Sequence, residues 1–125
     1  MYKNVYLKKG KEESLLRFHP WVFSGAIQRA DEGIEEGDTV RVITHAGDFI
    51  AVGHYQVGSI AVRVLSFSDI TVDQSYWHER LSAALTMRQR IGIADNPQNN
   101  TYRLVHGEGD WLPGLVIDCY GPTAV

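Results

Sequence analysis

The chain has 125 residues, 44% of them apolar and 22% charged, with a formal net charge of −3. This allows one domain and the start of a second, with apolar content enough for a core, and it excludes wholesale disorder, collagen-like repeats and low-complexity sequence. The modest acidity argues against nucleic acid only on average, because residues 1–30 carry +4, residues 31–48 carry −5 and the rest −2, and phosphate binding depends on where the cations sit.

The first seventy or so residues read as a small β-rich unit. Val5, Tyr6 and Leu7 predict a first strand, followed by the basic turn Lys8-Lys9-Gly10-Lys11. Residues 12–18 have helical character over about two turns, short enough to need packing support. His19-Pro20 then breaks the helix, since proline disfavours a helical residue before it and removes a donor. Trp21, Val22 and Phe23 follow, closed by Ser24-Gly25, and residues 31–38 form an acidic surface loop. Residues 39–44 largely alternate polar and apolar, and residues 48–52 are apolar; with His45-Ala46-Gly47 between them they predict a β-hairpin. Residues 60–65 are a further strand rich in β-branched residues. Short strands at this spacing predict a small barrel rather than an open sheet.

The period changes near residue 74. Trp77, Leu81, Ala84, Leu85 and Ile91 recur at helical spacing, with Asp73 as N-cap and Gly92 as stop. Arg80 and Arg88 lie at the edge of that apolar face, where an arginine usually packs its stem and pairs with an acid. Residues 94–101 form a linker. Tyr102 to Val105 and Leu115 to Tyr120 read as strands around the loop Gly107-Glu108-Gly109-Asp110.

No residue pattern here identifies a catalyst. There is no phosphate-binding glycine-rich loop, and His19, His45, His54, His78 and His106 fall in no metal-ligand spacing. His106, Glu108 and Asp110 can be drawn as an acid–base cluster, yet loops between strands are commonly polar for solvation alone. The longest apolar run, Phe49 to Val52, is four residues, too short for a spanning helix or a signal-peptide core. The single cysteine, Cys119, forms no internal disulfide and sits in an apolar strand as a small hydrophobe. A reduced cytoplasmic compartment is the expectation. Binding residues are better represented. Lys8, Lys9, Lys11 and Arg17 flank the short helix, and His19, Trp21 and Phe23 follow, a mixture suited to neutralising phosphates and stacking bases. Solvated lysines and core aromatics are the alternative for the same residues.

The segment Phe18-His19-Pro20-Trp21-Val22-Phe23-Ser24-Gly25-Ala26-Ile27 resembles the opening of bacterial S-adenosylmethionine-dependent rRNA cytosine-C5 methyltransferases acting on the large subunit. Gly37-Asp38-Thr39-Val40-Arg41-Val42, Gly47, Gly53, Tyr55, Ser59-Ile60 and Arg63 resemble that family's following strands. Residues 102–108 and 110–115, with Asp118 and Tyr120-Gly121, resemble the strand-rich linker domain that precedes its catalytic domain. The chain departs from the pattern at Gln56-Val57, where the family usually has Asn-Pro, and at Cys119, where it usually has a basic residue. The resemblance implies a mixed α/β (α+β) chain, mainly β. A PUA-like RNA-binding pseudo-barrel would occupy residues 1–73, a connecting helix 74–93, and a truncated linker domain 94–125. It implies RNA contacts through Lys8, Lys9, Lys11, Arg17 and His19, and linker-domain contacts through Arg103, Glu108 and Asp110. It also implies S-adenosylmethionine and a catalytic cysteine in a domain absent from this chain, with rRNA as partner. The other readings are a docking module that binds no RNA, and a small enzyme built on His106, Glu108 and Asp110. Leu115 to Cys119 is apolar enough to want cover on both faces, and residues 115–125 are expected to present unpaired backbone groups, so self-association through the C-terminal strands is also expected.

Overall fold

The computed structural model describes residues 1–125 as two compact units, Met1–Ile70 and Thr71–Val125. In the first unit, strands β1 (Lys3–Leu7), β2 (Trp21–Phe23), β3 (Ile27–Ala30), β4 (Thr39–Ile43), β5 (Phe49–Tyr55) and β6 (Ile60–Ser66) form one sheet in the order β2-β6-β5-β4-β1-β3. All neighbours are antiparallel except β1 and β4, which run parallel with Val5 opposite Val42. The two edge strands, β2 and β3, are consecutive in sequence and separated only by the 3₁₀ turn Ser24–Ala26. That turn spans only about 6 Å at roughly 2 Å per residue, so the sheet has to curl until its edges nearly meet. The expected barrel is therefore a curled half-barrel. Its core is Val5, Leu7, Val40, Val42, Ile50, Ala51, Val62 and Val64 from the strands, with Val22 from β2 and Leu15.

Leu15 comes from a helix shorter than its sequence predicts: α1 is Glu13–Leu16. Phe18 takes a left-handed backbone (φ 63°) two residues before Pro20, and the His19 N–H donates back to the Ser14 carbonyl at 3.0 Å, which ends the helix early. Strand β3 is not visible in the sequence. Gln28, Arg29 and Ala30 are all exposed, so this edge strand lacks the alternation that marks a half-buried one and owes its conformation to pairing with β1.

In the second unit, α2 (Gln74–Arg90) precedes a three-stranded antiparallel sheet of β7 (Thr101–His106), β8 (Val116–Tyr120) and β9 (Thr123–Ala124). Asp73 caps α2 by accepting from the Tyr76 N–H at 3.0 Å. Gly92 ends it with φ +79°, the left-handed conformation that closes a helix, and the Ile93 N–H returns to the Arg88 carbonyl at 2.9 Å. The inward face differs from the apolar periodicity: Tyr76, Ala84 and Arg88 are buried, Trp77, Leu81 and Leu85 are half-buried, and Ile91 is exposed. An arginine on the buried stripe rotates the helix away from the face its apolar residues alone would choose.

The C-terminal edge also differs from expectation. β9 folds back on β8, and Asp118 and Val125 exchange both backbone hydrogen bonds at 2.8 Å, so residues 118–120 are paired within the chain. The outer edge is then a two-residue strand, a poor template for pairing with a second chain. No helix is long and apolar enough to cross a membrane.

Candidate nucleic-acid interface

The cations named from the sequence lie on one excursion of the first unit. Lys8, Lys9 and Lys11 occupy the turn leaving β1, Arg17 caps α1, and all four are exposed. The turn is fixed by its backbone, with the Lys8 N–H donating to Ala26 at 2.8 Å and the Lys11 N–H to Lys8 at 3.1 Å. Only Arg17 has an acidic neighbour on α1, Glu13 at 3.8 Å; both are highly exposed, so this pair is readily exchanged for another anion.

His19 belongs to an aromatic group rather than to the lysine turn. Its Nδ1 accepts from the Trp21 N–H at 3.3 Å, and its ring centroid lies 5.7 Å from Trp21 and 6.2 Å from Phe23. The Arg63 guanidinium lies 5.6 Å from the Trp21 ring, and its Nε donates to Gln56 Oε1 at 3.1 Å. Trp21 is thus neither wholly core nor wholly surface. Arg63 and Gln56 complete this group; only the resemblance of residues 59–63 and the departure at Gln56 pointed to them, because their meeting depends on the pairing of β5 with β6.

The residues named in the second unit meet in a network of structural pairs, with Arg103 Nη1 3.3 Å from His106 Nδ1. Arg88, only 7% exposed, donates from both terminal nitrogens to the Asp110 carboxylate, one of them at 2.8 Å, and from Nε to the Arg103 carbonyl at 3.0 Å. The His106 backbone N–H also donates to Asp110, at 2.6 Å. Burial alone would raise the Asp110 carboxyl, but the Arg88 guanidinium and the His106 N–H outweigh it and hold that carboxyl below the usual carboxylate range. Arg103 instead pairs with Asp118 at 2.7 Å across β7 and β8, which likewise lowers the Asp118 carboxyl. Glu108 is half-buried in the turn between these groups. Asp110 is therefore committed to a buried ion pair joining α2 to the turn after β7, and is poorly placed to exchange protons with a substrate. No three His, Cys, Asp or Glu side chains are grouped to hold a metal.

A curled sheet with this strand order, closed by consecutive edge strands, defines a class that the sequence comparison identifies. The profile of the PUA-like domain family matches residues 5–67, half of the chain, and the chain belongs to that family. Among curated proteins it is similar to ribosomal RNA large subunit methyltransferase I of Erwinia tasmaniensis (40% identity), Escherichia coli (39%) and Klebsiella pneumoniae (37%). Each alignment covers 97% of this chain but only 30–31% of the relative, so the chain spans under a third of their length. Among solved structures, a Streptococcus mutans protein classed as a SAM-dependent methyltransferase superposes with a TM-score of 0.80 at 18% identity, over 99% of this chain and 32% of its own. That likeness shows a shared fold.

Proposed function

We propose that this chain is the RNA-binding N-terminal region of an S-adenosylmethionine-dependent rRNA (cytosine-C5) methyltransferase, positioning rRNA for a catalytic part outside these residues. The observation that carries the reading is the exposed Lys8–Lys9–Lys11–Arg17 excursion on a PUA-like sheet, in a chain whose relatives are named as large-subunit rRNA methyltransferases. Phosphate contacts from this excursion and His19 set register, while the target base is presented elsewhere. In this division of labour residues 1–73 bind RNA, 74–93 connect, and 94–125 begin a linker domain in which Arg103, Glu108 and Asp110 make structural contacts. An rRNA substrate places the protein in the cytoplasm.

The residues present do not fit S-adenosylmethionine. The parallel pair β1 and β4 is not joined by a long helix, and residues 67–73, leading from β6 into α2, contain no glycine for a nucleotide-cradling turn. The methyl donor belongs, in this proposal, to the length of the relatives that the chain does not match.

Fluorescence anisotropy of a labelled large-subunit rRNA fragment with the 125-residue chain tests the RNA reading. Binding that weakens steeply with salt is expected. No binding at low salt leaves the docking-module reading in its place.

A further inference from the structure

The outer side of the curled sheet carries a row of its own. Trp21 on β2 stands opposite Arg63 on β6, Arg63 opposite His54 on β5, and His54 opposite Thr39 on β4. Directly opposed residues share a face of the sheet, and the intervening Val22 and Val62 are in the core. At the β2 edge the row continues into Phe23, whose ring lies 6.3 Å from Trp21 and which is 48% exposed. With His19 this makes three rings within 6.3 Å of one another. No carboxylate belongs to the row. A cation stands within the row, with Arg63 over Trp21, and the backbone of the lysine turn is tethered at Ala26, three residues beyond Phe23 in the chain.

An exposed phenylalanine at a sheet edge is, alone, an apolar group at the surface. What selects its ligand is the company: planar rings beside Arg63, with a lysine turn a few residues along the chain, call for a ligand that is planar and apolar in one part and anionic at regular intervals. Single-stranded nucleic acid has that chemistry, its bases free to stack on aromatic rings and its phosphates free to follow cations. An apolar peptide would gain nothing from Arg63 and the lysines. A duplex keeps its bases stacked on one another and has none to offer Phe23.

We propose that Phe23, flanked by His19 and Trp21, is the stacking platform for one unstacked nucleobase of single-stranded RNA, whose adjoining phosphates run towards the Lys8–Lys9 turn. The proposal rests on the RNA-binding reading above and adds to it a base-recognising position that the cations do not supply.

The test uses a ten-nucleotide single-stranded RNA with a central 2-aminopurine, titrated with the 125-residue chain. Stacking of the probe base changes its fluorescence on binding. Phe23→Leu keeps apolar volume but removes the ring face. It is expected to weaken binding by about 5- to 150-fold, the range for loss of one base–aromatic stack, and to abolish the fluorescence change. The salt slope stays as in the parent, because every cation that meets a phosphate is still present. Phe23→Trp retains both affinity and signal. If Phe23→Leu binds as tightly as the parent with the same signal, the platform is wrong while RNA binding stands. If Phe23→Trp loses as much as Phe23→Leu, the residue acts through folding and the proposal fails. If the parent chain binds no RNA, both readings fall together.

Discussion

Gly53 lies on β5 where the sheet is irregular, between Val52 opposite Ser66 and Gly53 opposite Val64. A Cβ at this position would stand 2.4 Å from the Arg63 carbonyl oxygen and 2.8 Å from Val62 Cγ1. Backbone cannot move aside as a side-chain tip can, so Gly53→Ala is expected to destabilise the first unit by roughly 1–3 kcal/mol, the usual cost of overpacking. Urea denaturation of the two proteins checks this; an unchanged midpoint would mean that β5 and β6 separate without cost. The sequence shows that a glycine interrupts a strand here, but the clash that requires it comes from residues about ten positions away and depends on register. Arg88 was legible in kind, as a stem-packing arginine with an acidic partner. Its partner Asp110 was not, since nothing local links positions 22 residues apart.

Among the elements, the hairpin of β4 and β5, strand β6 and the capped helix α2 were legible because period and caps agree locally. The strands β3 and β9 were not, since each is held by a neighbour's backbone rather than by its own pattern. The buried face of α2 was hidden for a related reason: hydrophobic periodicity has no means of placing an arginine in a core. That arginine ties α2 to β7 and to the turn after it through buried charge, so its removal leaves the Asp110 carboxylate without its partner. Arg88→Met is expected to destabilise the second unit by about 3–5 kcal/mol, the cost of breaking one side of a buried pair. Arg88→Met combined with Asp110→Leu is expected to recover most of that loss. Hydrogen exchange of the β7 and β8 amides reads both, and unchanged protection in the single variant would show that the pair is dispensable. The same pair sets a direction with pH. The Asp110 carboxyl titrates lower in the folded chain than in the unfolded one, so its contribution is fully present above the ordinary carboxylate value of about 3.9 and is lost as pH falls below it through the folded value. Protection of β7 and β8 amides, corrected for intrinsic exchange, should fall as pH drops below about 3.9 less steeply in Asp110→Asn than in the parent. Equal pH dependence in the two would contradict this assignment.

At the scale of the whole molecule, a net charge of −3 conceals a first thirty residues at +4, and the fold puts four of those six cations on one exposed excursion. The sequence supplied the charges and a resemblance. The structure adds that the excursion leaves a curled sheet whose edge strand β2 carries Trp21 and Phe23, with His19 just ahead of it and Arg63 on the neighbouring strand. The expected self-association loses its main support once β9 covers the end of β8. The central claim is that the excursion holds RNA phosphates, and the most direct measurement is the salt dependence of single-stranded RNA binding by the parent chain and by Lys8→Ala/Lys9→Ala/Arg17→Ala. The account predicts that the triple variant binds more weakly whatever the RNA sequence, with its log–log salt slope reduced by about 0.7 for each phosphate no longer neutralised, and with stability within about 0.5 kcal/mol of the parent because all three side chains are exposed. Binding by the triple variant with the parent's slope would place the RNA elsewhere on the protein and contradict the account.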